Sequence, residues 1–338
     1  MSKCELTVEL SNASKEFQFG ELIRGRVHVR VDRECQCDKL TLDLFWRTHG
    51  MGNKDTGSQL TKTLFQGEWS PGDFYYDFEF QVPDGPRTYI GDAINIDWYL
   101  VARADIPWAI DPKAELGLTV KPSDRFTHNR NVPSYDFRSN ADLSVSFDRK
   151  SNSPLGTTLF AIPLVFAAGF FVYSLVKMNI LWILFSGFAL YAFASAFKPW
   201  IKRYVAAKKL GNVSLTINQD HFRAGDDVTF RLHFSPIADI DIGNIEAHLV
   251  FIETAVSGSG TNTQTHTRKS NHGELKLHGP FRCYTGRRFE KSGSIRIPEQ
   301  AMHCFQSDNN SLLWHLNVSI DIPNWPDWEK SESIQVSA

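Results

Sequence analysis

The sequence has little cysteine, and none at the spacings that cross-link small secreted domains. Its five cysteines are an odd number with three inside the first 37 residues, a usage that fits a reducing compartment. Charge of one dominant sign is missing too. With 36 Lys+Arg against 38 Asp+Glu, the chain has no global field to gather nucleic acid or acidic substrates. There is no glycine loop of phosphate-cradling spacing and no spacing of a catalytic triad, so no catalytic residue, cofactor or metal ligand is assigned and an enzyme is not expected. The opening MSKCELTVEL alternates polar and apolar residues, with no apolar run after Lys3, and a cleaved signal peptide is therefore not expected.

Two long charge-free runs stand out against this background. Residues 155–176 and 180–197 are separated by Lys177, Met178 and Asn179, and helices are expected over about 155–176 and 180–200. At 1.5 Å per residue the two stretches reach roughly 30 Å, the thickness of a bilayer's hydrocarbon layer. The pattern predicts a transmembrane helical hairpin over 155–201; a buried helical hairpin in a water-soluble core is the alternative. Arg149, Lys150, Lys198, Lys202, Arg203, Lys208 and Lys209 flank it, against the single Lys177 in its turn. By the excess of cations this sets both termini in the cytoplasm of a multi-pass protein, with a bacterial inner membrane as the expected setting and the lipid bilayer as a partner. Gly169, Ser186 and Gly187 are the small residues through which such helices would pack.

On both sides of this region the chain alternates with period two. Val27, Val29 and Val31 interleave with Arg26, His28 and Arg30, and Phe74, Tyr76, Phe78 and Phe80 with Tyr75, Asp77 and Glu79. Turn clusters such as SPGD at 70–73 and PDGP at 83–86 separate these runs, which is the punctuation of antiparallel sandwiches. The two halves also repeat one another. FQFGELIRGRVHV at 17–29 lies over FRAGDDVTFRLHF at 222–234 with an offset of 205. An insertion of about ten residues then raises the offset to 216, where Trp98, Leu100, Asp105, Ile106 and Pro107 fall on Trp314, Leu316, Asp321, Ile322 and Pro323. The expected organisation is an N-terminal sandwich at 1–121, a linker at 122–154, the hairpin, and a C-terminal sandwich at 211–338.

The order of these motifs resembles the arrestin-like superfamily: F.FGE.I.G.V, then L.L.WRT.G, then an aromatic strand ending in VP..P..Y.G, then I.W.L.A..DIP. The resemblance covers about 4–121 and 211–337, is closest to the bacterial and endosomal arrestin-like proteins, and does not extend to the hairpin. It implies an all-β fold of two tandem immunoglobulin-type sandwiches. It also implies a non-catalytic adaptor or scaffold that binds other proteins, here at the cytoplasmic face of a membrane. A structural subunit of a stable multi-subunit membrane complex is the alternative.

The individual candidates are few. Cys35 and Cys37 could offer two thiolates, but no second pair at metal spacing follows, so they read as ordinary thiols. His303 and Cys304, adjacent on a strand, would point to opposite faces, which argues against a base and nucleophile pair. Glu21 and Asp226, beside turn glycines, would orient tight turns. Trp98 and Trp314 read as core. Trp108, Trp325 and Trp328 follow the DIP element where the strand pattern breaks, which makes them the partner-contact candidates.

Overall fold

A computed structural model describes residues 4–122 and 208–337. The N-terminal lobe has nine strands: β1 (Cys4–Leu10), β2 (Glu16–Gln18), β3 (Leu22–Val31), β4 (Cys35–Gly50), β5 (Thr56–Trp69), β6 (Gly72–Gln81), β7 (Tyr89–Ile90), β8 (Ile94–Asp105) and β9 (Lys113–Lys121). The C-terminal lobe has eleven: β10 (Ser214–Ile217), β11 (His221–Arg223), β12 (Asp227–Phe234), β13 (Ile240–Ile242), β14 (Ile245–Ser257), β15 (Gln264–His278), β16 (Phe281–Cys283), β17 (Phe289–Arg296), β18 (Phe305–Gln306), β19 (Asn310–Ile320) and β20 (Trp328–Ser337).

Strand order shows the duplication directly. The N-terminal lobe stacks a β1-β3-β6 sheet on a β2-β9-β8-β4-β5 sheet with β7 on β8; the C-terminal lobe stacks β10-β12-β17 on β11-β20-β19-β14-β15 with β18 on β19. Even the parallel pairs correspond, β2 with β9 and β11 with β20. The two extra strands, β13 and β16, pair with each other as the start of β4 pairs with the end of β5, across a break in the long ladder. The inserted residues fall largely in the β14–β15 hairpin, whose pairing runs on to Ser257 opposite Gln264, whereas β4–β5 pairing stops at Arg47 opposite Thr56.

Period-two burial builds each core. Ile23, Val27, Val29 and Val31 of β3 point inward, as do Val228, Phe230, Leu232 and Phe234 of β12. Each such side chain contributes about 1.5–3 kcal/mol through apolar area removed from water. Trp98 and Trp314 are fully buried at equivalent places, and their indole N–H groups donate to the carbonyls of Pro86 at 2.8 Å and Met302 at 2.7 Å. Glu21 and Asp226 also act alike: their carboxylates accept from the backbone N–H of Gln18 at 2.8 Å and of Arg223 at 2.7 Å, closing the turns at Gly20 and Gly225.

The membrane-spanning hairpin expected from hydropathy is corrected. No helix among the described residues is long and apolar enough to cross a membrane, and 155–201, with Gly169, Ser186 and Gly187, lies outside those residues. A run of apolar residues supplies composition, whereas a span needs a continuous helix of about 20 residues. The fold class is therefore stated as all-β with two sheet bodies. The two-helix bilayer contact, the multi-pass inner-membrane placement and the membrane anchoring of the adaptor are withdrawn with the hairpin. The linker at 122–154 also falls outside the described residues, apart from Pro122.

Candidate functional site: the interlobe seam and the Trp108 turn

The lobes meet along a polar seam that repeats itself across the junction. Glu253 of β14 is 5% exposed, and its carboxylate crosses to the N-terminal lobe. One oxygen accepts from the Tyr89 hydroxyl at 3.0 Å and the Asp92 N–H at 3.1 Å, the other from the Ala93 N–H at 2.9 Å and the Ile94 N–H at 3.1 Å. Asp55, 8% exposed at the start of the β4–β5 hairpin end, does the converse. It accepts from the Ser307 hydroxyl at 2.5 Å, the Asn309 N–H at 2.9 Å and side chain at 2.6 Å, and the Asn310 side chain at 2.7 Å. Asn310 also donates to the Thr48 hydroxyl at 3.0 Å.

These two latches are copies in position. Thr48 and Glu253 stand 205 apart, and the loops they touch, 307–310 and 91–94, stand 216 apart. The backbone follows the same pairing, with Met51 N–H donating to Ala93 O at 2.9 Å and Val256 N–H to Asn309 O at 2.8 Å. Asn53 bonds both backbone groups of Gly258, its own counterpart 205 residues on. Aromatic contacts fill the seam, Trp46 edge-on to Phe305 at 5.3 Å and Tyr89 edge-on to Phe251 at 6.1 Å.

Neither buried carboxylate makes an ion pair among the described residues; the donors are amides, hydroxyls and a phenol. Hydrogen bonds to a charged acceptor contribute about 1.5–3 kcal/mol each, so each latch is a strong tie that depends on all its donors staying in place. Gly91 shows how tight the fit is. A Cβ there would stand 2.5 Å from a Glu253 oxygen and 2.5 Å from the Tyr89 ring. Burial, then Glu253, pushes the Tyr89 hydroxyl up, which keeps it protonated as a donor. Arg87 adds a third tie, donating to the Met302 sulfur at 3.1 Å and to Gln300 O at 2.9 Å. Beside it His303 is buried, its two ring nitrogens have no hydrogen-bond partner among the described residues, and desolvation, then Arg87, pulls its imidazole down to about 3.

At the far end of β8 from the seam, the chain turns through Ile106, Pro107, Trp108 and Ala109, closed by Ala109 N–H to Ile106 O at 3.1 Å. Proline at the second position and positive φ at the third make this a type II turn, whose third position favours glycine or asparagine. Trp108 occupies it at φ 60° and is 103% exposed; Ile110 beside it is 74% exposed. The C-terminal copy, Ile322–Trp325, has Asn324 there at φ 69° and the same closing bond at 2.9 Å.

The three tryptophans singled out from the sequence thus separate. Trp108 stands clear of its lobe, whereas Trp325 is half-buried under Lys209, whose ammonium lies 4.2 Å from the ring centre, and Trp328 packs half-buried against the core. All five thiols are buried, which disfavours the thiolate. Burial, then Cys4, pushes Cys37 up to about 12, and burial, then Cys35, pushes Cys4 up to about 11. Cys304 bonds backbone of β20 and is raised by burial, and no hydrogen bond joins it to the His303 ring nitrogens.

No family model matches the chain, and no curated protein matches it. Among solved structures, it is similar to the crystal structure of the sporulation control protein Spo0M from Bacillus subtilis, at 16% identity over 38% of this chain, with a TM-score of 0.32. The match spans about half of that protein, 49% of its chain.

Proposed function

We propose that this chain is a non-catalytic, two-lobed adaptor that takes hold of a protein partner through the Trp108 turn. The observation that carries the reading is Trp108 itself. A left-handed backbone costs a non-glycine residue about 1–2 kcal/mol, and a bare indole gains nothing from burial within its own lobe. The equivalent turn of the second lobe uses asparagine, so the fold does not require tryptophan there. A rigid amphipathic ring held out on a short turn, flanked by Pro107 and Ile110, is the kind of side chain that anchors protein interfaces. The seam supports this by holding the two lobes as one rigid platform behind the turn. The arrestin-like resemblance of the strand and turn motifs implies the same class of role.

The test uses Trp108→Asn, which installs the second lobe's own turn residue. Immobilised protein and variant are exposed in parallel to lysate of the source cells, and captured proteins are quantified. The expected outcome is a set of proteins held by the parent and lost by the variant at unchanged folding. Identical capture by both would refute the assignment of the contact to Trp108.

A further inference from the structure

We infer that the outer face of the C-terminal lobe carries a binding site for a divalent transition-metal ion, zinc or manganese, built from Glu246, His248 and Glu274. The three side chains come from two strands. Glu246 and His248 are two apart on β14, so both project from the face opposite buried Ala247 and Leu249, and Glu274 of β15 stands opposite His248 in the ladder. One donor atom from each lies within 4.8 Å of the other two. An ion with bonds of about 2.1 Å holds its donors roughly 3–4 Å apart, and the exposed Glu274 side chain has the freedom to close the difference.

A second observation points the same way from a third strand. Asn317 of β19 pairs with His248 on its other side, and the Asn317 side-chain oxygen is shielded from solvent and accepts no hydrogen bond among the described residues. An orphaned buried acceptor calls for an explanation, and a cation beside His248 supplies one. Imidazole with two carboxylates and an amide oxygen is a mixed nitrogen and oxygen set, which suits zinc or manganese better than calcium, whose ligands are oxygens alone. Lys276, opposite Glu246, is the one cation in the register positions adjoining the cluster, set against two carboxylates.

The fold does not demand this cluster. The register-equivalent positions of the N-terminal lobe are Thr41, Asp43, Thr61 and Val101, where the Thr61 hydroxyl donates to Asp43 at 2.5 Å. The second lobe therefore carries metal-type donors where the first lobe has a single carboxylate, Asp43, already bonded by Thr61. An ion there would staple β14 to β15 and β19.

The test is isothermal titration of tag-free protein with zinc and, separately, manganese chloride at neutral pH. The parent is compared with Glu246→Gln/His248→Asn and with Asp43→Asn from the equivalent place on the other lobe. These are surface positions, and circular dichroism without metal should show all three folded alike. The expected result is one saturable site for at least one ion in the parent and in Asp43→Asn, weakened at least tenfold in the double variant. No saturable binding of either ion by the parent, or equal binding by parent and double variant, would overturn the assignment.

Discussion

Replacing Glu253 with glutamine is the sharpest perturbation of the seam, because the geometry fixes how many bonds must fail. Each carboxylate oxygen accepts two donors, Tyr89 and Asp92 on one side, Ala93 and Ile94 on the other. A carboxamide offers one oxygen, so whichever way it lies, two donors face an NH2 group. Two lost bonds to a charged acceptor cost about 3 kcal/mol at the lower end. Each lobe keeps its own core, so the cost falls on the docking of one lobe against the other. Hydrogen exchange of the Ala93 and Ile94 amides reads this directly: a loss of about 3 kcal/mol should speed their exchange roughly a hundredfold. Amides in the centre of β3 and β12, within the lobes, should change little. Unaltered protection at 93 and 94 in the variant would refute the latch.

Two further outcomes follow from the same structure. Trp98→Ala and Trp314→Ala should each cost about 3–5 kcal/mol, each melting chiefly its own lobe as read by proteolysis, since the two rings sit on strands of different sheets, β8 and β19. His303, held neutral with its imidazole pulled down to about 3 from 6.5, gives a signed pH effect. Between those values the unfolded chain binds a proton that the folded one does not, so stability falls as pH drops below about 6.5, by about 1.4 kcal/mol per unit. His272 and His315, also lowered by burial, add in the same direction. Denaturant unfolding at pH 7.5 and 5 should therefore show a smaller loss in His303→Leu than in the parent, and equal losses would refute the assignment to His303.

Much of the fold was legible in the residues. Alternation at Val27, Val29 and Val31 marked an inward row, and the repeat of tryptophan 216 residues apart marked equivalent core positions, because burial imposes the same chemistry on both copies. The seam was harder to see. Its signal was there in Glu253, which falls on the inward phase between Phe251 and Ala255, where a charge is out of place unless something receives it; only the folded chain shows that the receiver is the loop at 92–94. Glu246 and His248 likewise share a strand face by spacing alone, but Glu274 joins them only through the register of the hairpin. Among the tryptophans, sequence could place Trp108, Trp325 and Trp328 beyond the DIP element. It could not separate them, since exposure depends on a one-residue shift within the turn. The hairpin expected at 155–201 falls outside the described residues, among which no helix is long and apolar enough to cross a membrane.

The measurement that bears most directly on the adaptor reading is the affinity of one captured, purified partner for the parent and for Trp108→Asn, taken together with the stability of both proteins. Relief of the left-handed tryptophan should leave the variant as stable as the parent, or more stable by up to about 1 kcal/mol, while the loss of an anchoring indole should weaken binding at least tenfold, the range of a contact worth 2 kcal/mol or more. Equal affinity at equal stability would contradict the central claim that this turn is where the protein takes hold of its partner.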